Sequence, residues 1–192
     1  MISTAEFRKG LKIEMNGEPY IIVDFQHVKP GKGGAFVRTK LKSLITSKVL
    51  DQTFRSGDKV DVPDVEQHEM QILFRVGDDI TLMDTTSYEQ HTYTADELGG
   101  DIQWTKEGIT IGVQVYKGRP IGLELPIFVE LAIVKTDPGI RGDTATGGTK
   151  PATLESGATI QVPLFLNEGD TVKVDTRTGE YVERLSSARG RS

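Results

Sequence analysis

From Val37 to Lys42, within 35-AFVRTKLKSL-44, apolar or small positions alternate with cations. Successive side chains of an extended strand point to opposite faces, so Val37, Thr39 and Leu41 share one side and Arg38, Lys40 and Lys42 the other. Similar short runs recur along the chain: 11-LKIEM-15, 20-YIIVDFQHV-28, 70-MQILFRV-76, 80-ITLMD-84, 109-ITIGVQVY-116, 121-IGLELPIFVEL-131, 132-AIVKT-136, 158-ATIQVPLFL-166, 171-TVKVDT-176 and 180-EYVERL-185. Turn residues separate them. Asn16-Gly17 is a hairpin signal, and Pro30-Gly31, Gly33-Gly34, Gly77-Asp78-Asp79, Asn167-Glu168-Gly169-Asp170 and Arg177-Thr178-Gly179 punctuate the rest. Only 94-TADELGGDI-102 reads as a helical turn, with Thr94 as N-cap, Glu97 three residues on, and Gly99-Gly100 to stop it. Regular short strands with glycine-rich turns predict an all-β chain of small barrels or sandwiches.

The 192 residues suit two or three such modules. Charge divides them. Residues 1–64 carry 11 Lys+Arg against 8 Asp+Glu, a net of +3; residues 65–128 carry 4 against 11, a net of −7; residues 129–192 carry 8 against 9, a net of −1. The balance flips near 61-DVPDVE-66, which places a domain boundary at 64/65, and a third block of strands sets a second at 128/129. The last two blocks are alike in size and strand spacing, as a duplicated five-stranded barrel would be. A net charge of −5 argues against a generic nucleic-acid binder. Yet Phe25 to Leu50 holds Lys29, Lys32, Arg38, Lys40, Lys42 and Lys48 and no carboxylate, a local positive patch suited to a polyanion. Cysteine is absent, so disulfides and thiolate metal sites are ruled out, and the composition suits a reducing cytosol. No signal-peptide core and no membrane-length apolar run is present. The expectation is a soluble cytoplasmic protein that does not engage membranes.

Enzyme signatures fail one by one. His27, His68 and His91 lie far apart, and His68-Glu69 lacks the second histidine of a zinc HExxH. No GxSxG elbow exists. Lys32 is followed by glycine, so Gly31-Lys32-Gly33 is no Walker loop, and Phe36 stands where GxGxxG would need its last glycine. The sequence therefore predicts no enzyme, no cofactor and no metal. What remains is the loop 28-VKPGKGGAFVRTK-40. Three glycines, Gly31, Gly33 and Gly34, surround Lys32, more than a tight turn needs. Surplus glycine costs folding entropy but lets a backbone come close to a partner or lets an enzyme grip the lysine. A lysine ammonium is a compact point charge on a flexible stem, suited to phosphate. A second glycine-rich segment, 137-DPGIRGDTATGGTKPAT-153, offers backbone N–H groups and the hydroxyls of Thr144, Thr146 and Thr149, flanked by Arg141 and Lys150. That chemistry suits phosphate and sugar contacts in a long connecting loop.

These two segments, in this order, resemble the family of bacterial elongation factor P. The loop 29-KPGKGGAF-36 looks like the family's first-domain tip. The stretch 141-RGDTATGGTKPATLESGATIQVPLFLNEGD-170 resembles its third-domain signature, standing here as Lys150, Ala152, Gly157, Ile160, Val162-Pro163, Leu166 and Gly169. The resemblance runs from Met1 to about Leu185.

The resemblance implies three β-barrel domains in an L shape, an SH3-like barrel of the KOW type followed by two OB-fold barrels. It implies a monomeric translation elongation factor that binds the ribosome between the peptidyl and exit sites. There it would position the CCA end of peptidyl-tRNA and stimulate peptide-bond formation at consecutive prolines. Lys32, carried by Lys29, Pro30, Gly31, Gly33 and Gly34, would approach the CCA end. Members with lysine there often carry a β-lysyl or aminopentanol group, so a lysine-modifying enzyme is an implied partner. Arg38, Lys40 and Lys42 would hold tRNA backbone. Arg141, Gly142, Asp143, Thr144, Thr146, Gly147 and Gly148 would contact the exit-site codon of the messenger and small-subunit RNA. The competing reading is a general single-stranded RNA-binding KOW/OB protein without a ribosomal role. It would need a basic, aromatic-lined groove. The acidic or near-neutral second and third blocks, with Tyr88, Tyr93, Trp104, Tyr116, Phe128, Phe165 and Tyr181, offer little of one.

Overall fold

Asn16 and Gly17 both take positive φ, 54° and 76°, and so close a two-residue hairpin loop. The strands they join are β2 (Lys12–Met15) and β3 (Glu18–Val28), preceded by a short β1 (Ile2–Ser3). Next come β4 (Phe36–Ser43), β5 (Val49–Arg55) and β6 (Lys59–Val60). The computed structural model describes residues 1–139 and 148–188. Chain proximity divides it into two units, residues 1–67 with 114–122, and residues 68–113 with 123–192.

In the first unit a four-stranded antiparallel sheet runs β2-β3-β4-β5, β1 pairs with β6, and a bridge from Glu14 to Asp61 curls the sheet toward closure. The alternation of β4 is realised: Val37, Thr39 and Leu41 are buried, while Arg38, Lys40 and Lys42 are exposed. Ile13, Ile22, Val37 and Leu41 are almost completely buried, and Phe7 meets Phe54 edge-to-face with ring centroids 5.4 Å apart. Strand β5 escapes the sequence reading because Gln52, half-buried between Leu50 and Phe54, masks its alternation.

Farther along lie β7 (Val65–Val76), β8 (Asp79–Asp84), β9 (Gln90–Thr94), β10 (Thr110–Tyr116) and β11 (Arg119–Glu124), hydrogen-bonded in the order β11-β10-β7-β8-β9. The helical turn falls where expected. Helix α1 (Ala95–Leu98) begins at Thr94, whose hydroxyl accepts from the Glu97 N–H at 3.2 Å, while the Glu97 carboxylate accepts from the Thr94 N–H at 2.8 Å.

The final sheet comprises β12 (Phe128–Thr136), β13 (Thr149–Leu154), β14 (Thr159–Pro163), β15 (Thr171–Asp175) and β16 (Glu180–Ser186), in the order β14-β13-β12-β15-β16. Two sequence readings change here. The run 121–131 is interrupted at Pro126, which lacks an N–H for the ladder, and β12 continues across Leu131 to Thr136. Residues 149–153, read as loop, form β13 with Leu154, and the strand's inward side is Lys150, Ala152 and Leu154; the lysine hid the apolar alternation. Trp104, counted above as a stacking aromatic, packs into this sheet's core with Leu131, Leu154 and Val172.

Asp84 ends β8 and organises the turn after it. Its carboxylate accepts from the Thr86 and Ser87 N–H groups at 2.8 and 3.0 Å, and lies 2.8 Å from His68 Nδ1. The Ser87 and Thr86 backbone bonds, then the His68 bond, pull its pKa down to about 2 against the opposing effect of burial. A carboxylate whose folded pKa is depressed contributes stability above its unfolded pKa of about 3.9 and loses that contribution as pH falls through the folded value. The window is therefore about pH 4 down to pH 2. Urea unfolding at pH 5 and pH 2.5 is expected to show a smaller acid-induced loss for Asp84→Asn than for the wild type. Equal losses would contradict the role.

Candidate functional site

Val28 and Phe36 are cross-strand partners, so residues 29–35 form the loop that joins β3 to β4. Lys29, Gly31, Lys32, Gly33 and Gly34 are exposed and Pro30 is half-buried. The loop's far end is pinned by the Ser56 N–H, which donates to the Ala35 carbonyl at 3.0 Å. Lys32 makes no hydrogen bond or ion pair with a described residue. Among the three glycines only Gly33 has a backbone that demands glycine, with φ of 101°. A Cβ added at Gly31 or Gly34 would meet nothing within 4 Å. The protein's own packing therefore does not require glycine at those two positions. Their bareness leaves the space around the ammonium open, as a close-approaching partner needs.

The outer face of β4 continues from this loop. Phe36, Arg38, Lys40 and Lys42 lie along it, with the Arg38 guanidinium 5.4 Å from the Phe36 ring centroid. Phe36 was not singled out from the sequence, although its parity with Arg38 places it on this face. The ladder also brings in acids that the sequence window excluded. Asp24 and Asp51 flank the cation-only run at its two ends, and antiparallel pairing sets both opposite Lys40. Arg38 faces Gln26 and Thr53, and Lys42 faces Ile21 and Val49. The uncompensated positive charge of the face is thus concentrated at Arg38 and Lys42. The positive patch read from the sequence is narrower in the fold.

In the second glycine-rich segment, Arg141, Gly142, Asp143, Thr144, Thr146 and Gly147 lie outside the described residues, and Gly148 is half-buried just before β13. The flanking Lys150 is not a surface cation. It is 5% exposed, and its ammonium donates to the backbone carbonyls of Asp137 and of Leu166, the latter at 2.6 Å. It joins the chain entering the segment to the chain leaving β14, a structural task in place of the anticipated phosphate contact. A Cβ at Gly139 would stand 2.5 Å from the Leu164 carbonyl oxygen, so the entry to the segment is closely packed too. Of the stacking candidates, Trp104 and Tyr116 are buried at 9% and 3% exposure. Phe128 and Phe165 are exposed, but Lys173 and Arg184 cover them, and those cations also face Glu183 and Asp170.

Among the described residues no group of three His, Asp or Glu side chains could hold a metal, and no helix is long and apolar enough to cross a membrane.

Comparison with known proteins places this architecture. A family model described as the elongation factor P KOW-like domain matches residues 3–60, one described as the elongation factor P OB domain matches residues 65–123, and one described as elongation factor P, C-terminal, matches residues 129–184. Among solved structures, eukaryotic translation initiation factor 5A from Methanococcus jannaschii superposes with a TM-score of 0.53 at 23% identity, covering 62% of this chain and 90% of that one. A translation initiation factor 5A family protein from Naegleria fowleri gives 0.51 at 16% identity, covering 65% and 96%. These two likenesses establish a shared fold over somewhat under two thirds of the chain. The fold and the family domains together define a translation factor built of a KOW-like domain and OB-type β domains. Among curated relatives, elongation factor P of Natranaerobius thermophilus is 55% identical over 185 residues, 96% of this chain and 98% of its own length. That of Maridesulfovibrio salexigens is 56% identical over 184 residues, 96% and 99%. The chain belongs to the elongation factor P family.

Proposed function

We propose that the protein binds the ribosome between the peptidyl and exit sites and holds the CCA end of peptidyl-tRNA in reactive alignment, accelerating bond formation at consecutive prolines. The observation that carries this reading is the Lys32 ammonium, engaged by no described residue and exposed on a loop whose flanking glycines leave it unobstructed. A factor that restrains the peptidyl end acts through orientation and entropy, and the ribosome supplies the chemistry. Proline is a constrained nucleophile, so positioning is where such help counts. An enzyme that lengthens Lys32 would find the same open loop accessible, and the added group would extend the reach of the charge. The three family-matched stretches act as three domains, the first presenting Lys32 and the third presenting residues 141–148 to the exit-site codon and small-subunit RNA.

The test is the rate of peptide-bond formation through consecutive prolines with and without the protein; an unchanged rate would overturn the proposal. The β4 face makes a second expectation. If Arg38 and Lys42 meet phosphate, replacing each with glutamine lowers the slope of log affinity against log salt in ribosome binding by about 1. Lys40→Gln lowers it less, because Asp24 and Asp51 already offset that charge. Filter binding across potassium chloride concentrations measures the slopes. Three equal reductions, or none, would contradict the charge assignment.

A further inference from the structure

The outer face of β3, β4 and β5 is not flat. A hollow of about 400 Å³ opens on it, lined by Asp24, Gln26, Arg38, Lys40, Asp51 and Thr53 among others. Asp51 and Lys40 are cross-strand partners, and neighbours on one face of a sheet are close enough to interact. They nevertheless form no ion pair, and Asp51 makes no hydrogen bond to any described residue. Asp24 uses one carboxylate oxygen, which accepts from the Phe25 N–H at 3.0 Å and lies 3.6 Å from Lys9. Its other oxygen has no partner among the described residues. The hollow therefore presents unused acceptors beside unused donors. A site for phosphate alone would be built of donors, and two carboxylates would repel its ligand.

We propose that this hollow is a ribonucleotide subsite: Arg38 takes backbone phosphate, and Asp51, with Asp24 beside it, accepts the hydrogen bond of a ribose 2′-hydroxyl. The 2′-hydroxyl is the group that separates RNA from DNA at a contact, and it needs an acceptor to donate to. The carboxylates then convert a charge patch that would hold any polyanion into one that selects RNA. The inference rests on the reading of this face as the one that meets tRNA, and deepens it.

The test is fluorescence anisotropy of the full chain with a labelled RNA stem-loop ending in CCA, and with the all-deoxy strand of the same sequence. The wild type is expected to prefer the RNA by about tenfold, the worth of one hydrogen bond to a charged group. Asp51→Asn, and to a smaller extent Asp24→Asn, is expected to weaken RNA binding and bring the ratio toward one. If the carboxylates only temper the patch, both variants bind RNA and DNA more tightly by the same factor, and the proposal is overturned. Equal wild-type affinities for the two strands also overturn it. If Arg38→Gln and Lys42→Gln leave binding of both strands unchanged, the RNA-facing reading of the whole face fails, a result distinct from loss of selectivity alone.

Discussion

Lys32→Ala is expected to remove the acceleration of synthesis through consecutive prolines, by roughly 10- to 100-fold, while leaving the fold intact. The magnitude follows from the mechanism, since misplacing reacting groups by about 1 Å costs up to about 100-fold. The intact fold follows from the structure. Lys32 is exposed and engages no described residue, and substitutions at such positions stay within about 0.5 kcal/mol of the wild type. Lys32→Arg separates charge from identity. It keeps a cation at the apex but offers no primary amine for extension, and an arginine fork presents its charge differently. An intermediate rate for arginine would show that charge alone contributes part of the effect. Full acceleration by Lys32→Ala, with melting temperature unchanged, would remove the tip from the mechanism.

The largest stability effect is expected in the second unit. Trp104→Ala should destabilise the second unit by about 3–5 kcal/mol, the usual cost of truncating a large buried aromatic side chain. Trp104 is 9% exposed among Leu131, Leu154 and Val172. A Cβ at Gly179 would stand 2.8 Å from its indole, so the turn before β16 lies directly against the ring. Alanine would leave a cavity that this turn cannot fill without moving. Gly179→Ala is expected to be costly too, because φ there is 72° and the added methyl meets the ring. Denaturant unfolding followed by circular dichroism measures both. In the wild type, the single tryptophan reports the same core by fluorescence. A loss below about 1 kcal/mol for Trp104→Ala would contradict its core role.

The sequence was most legible where local chemistry and fold agree. The parity of Val37 to Lys42, the Asn16-Gly17 turn and the Thr94–Glu97 capping box each state their own geometry within a few residues. Even the motif that carried the family resemblance proves to be structural. Ala152, Ile160, Val162 and Leu166 are core residues, while Gly157 and Gly169 turn the chain at φ of 89° and 88°. What was not legible depended on pairing. Asp24 and Asp51 sit just outside the cation-only window, and no linear charge count shows that both fold back onto Lys40. Lys150 looked like a flanking phosphate ligand because lysines are seldom buried. Its shared parity with Ala152 and Leu154 was the available clue. Trp104 ends a short helical turn (Gly100–Trp104) of irregular period, so nothing nearby in sequence pointed it toward a sheet that begins at Phe128.

The reach of the apex can be measured on the ribosome itself. The chain contains no cysteine, so Gly34→Cys supplies a unique thiol at a position where a side chain meets nothing of the protein. With an iron chelate attached there and peptidyl-tRNA in place, hydroxyl-radical cleavage should concentrate at the CCA end of that tRNA. Cleavage confined to other RNA, with the CCA end untouched, would contradict the assignment of Lys32 to peptidyl-end positioning.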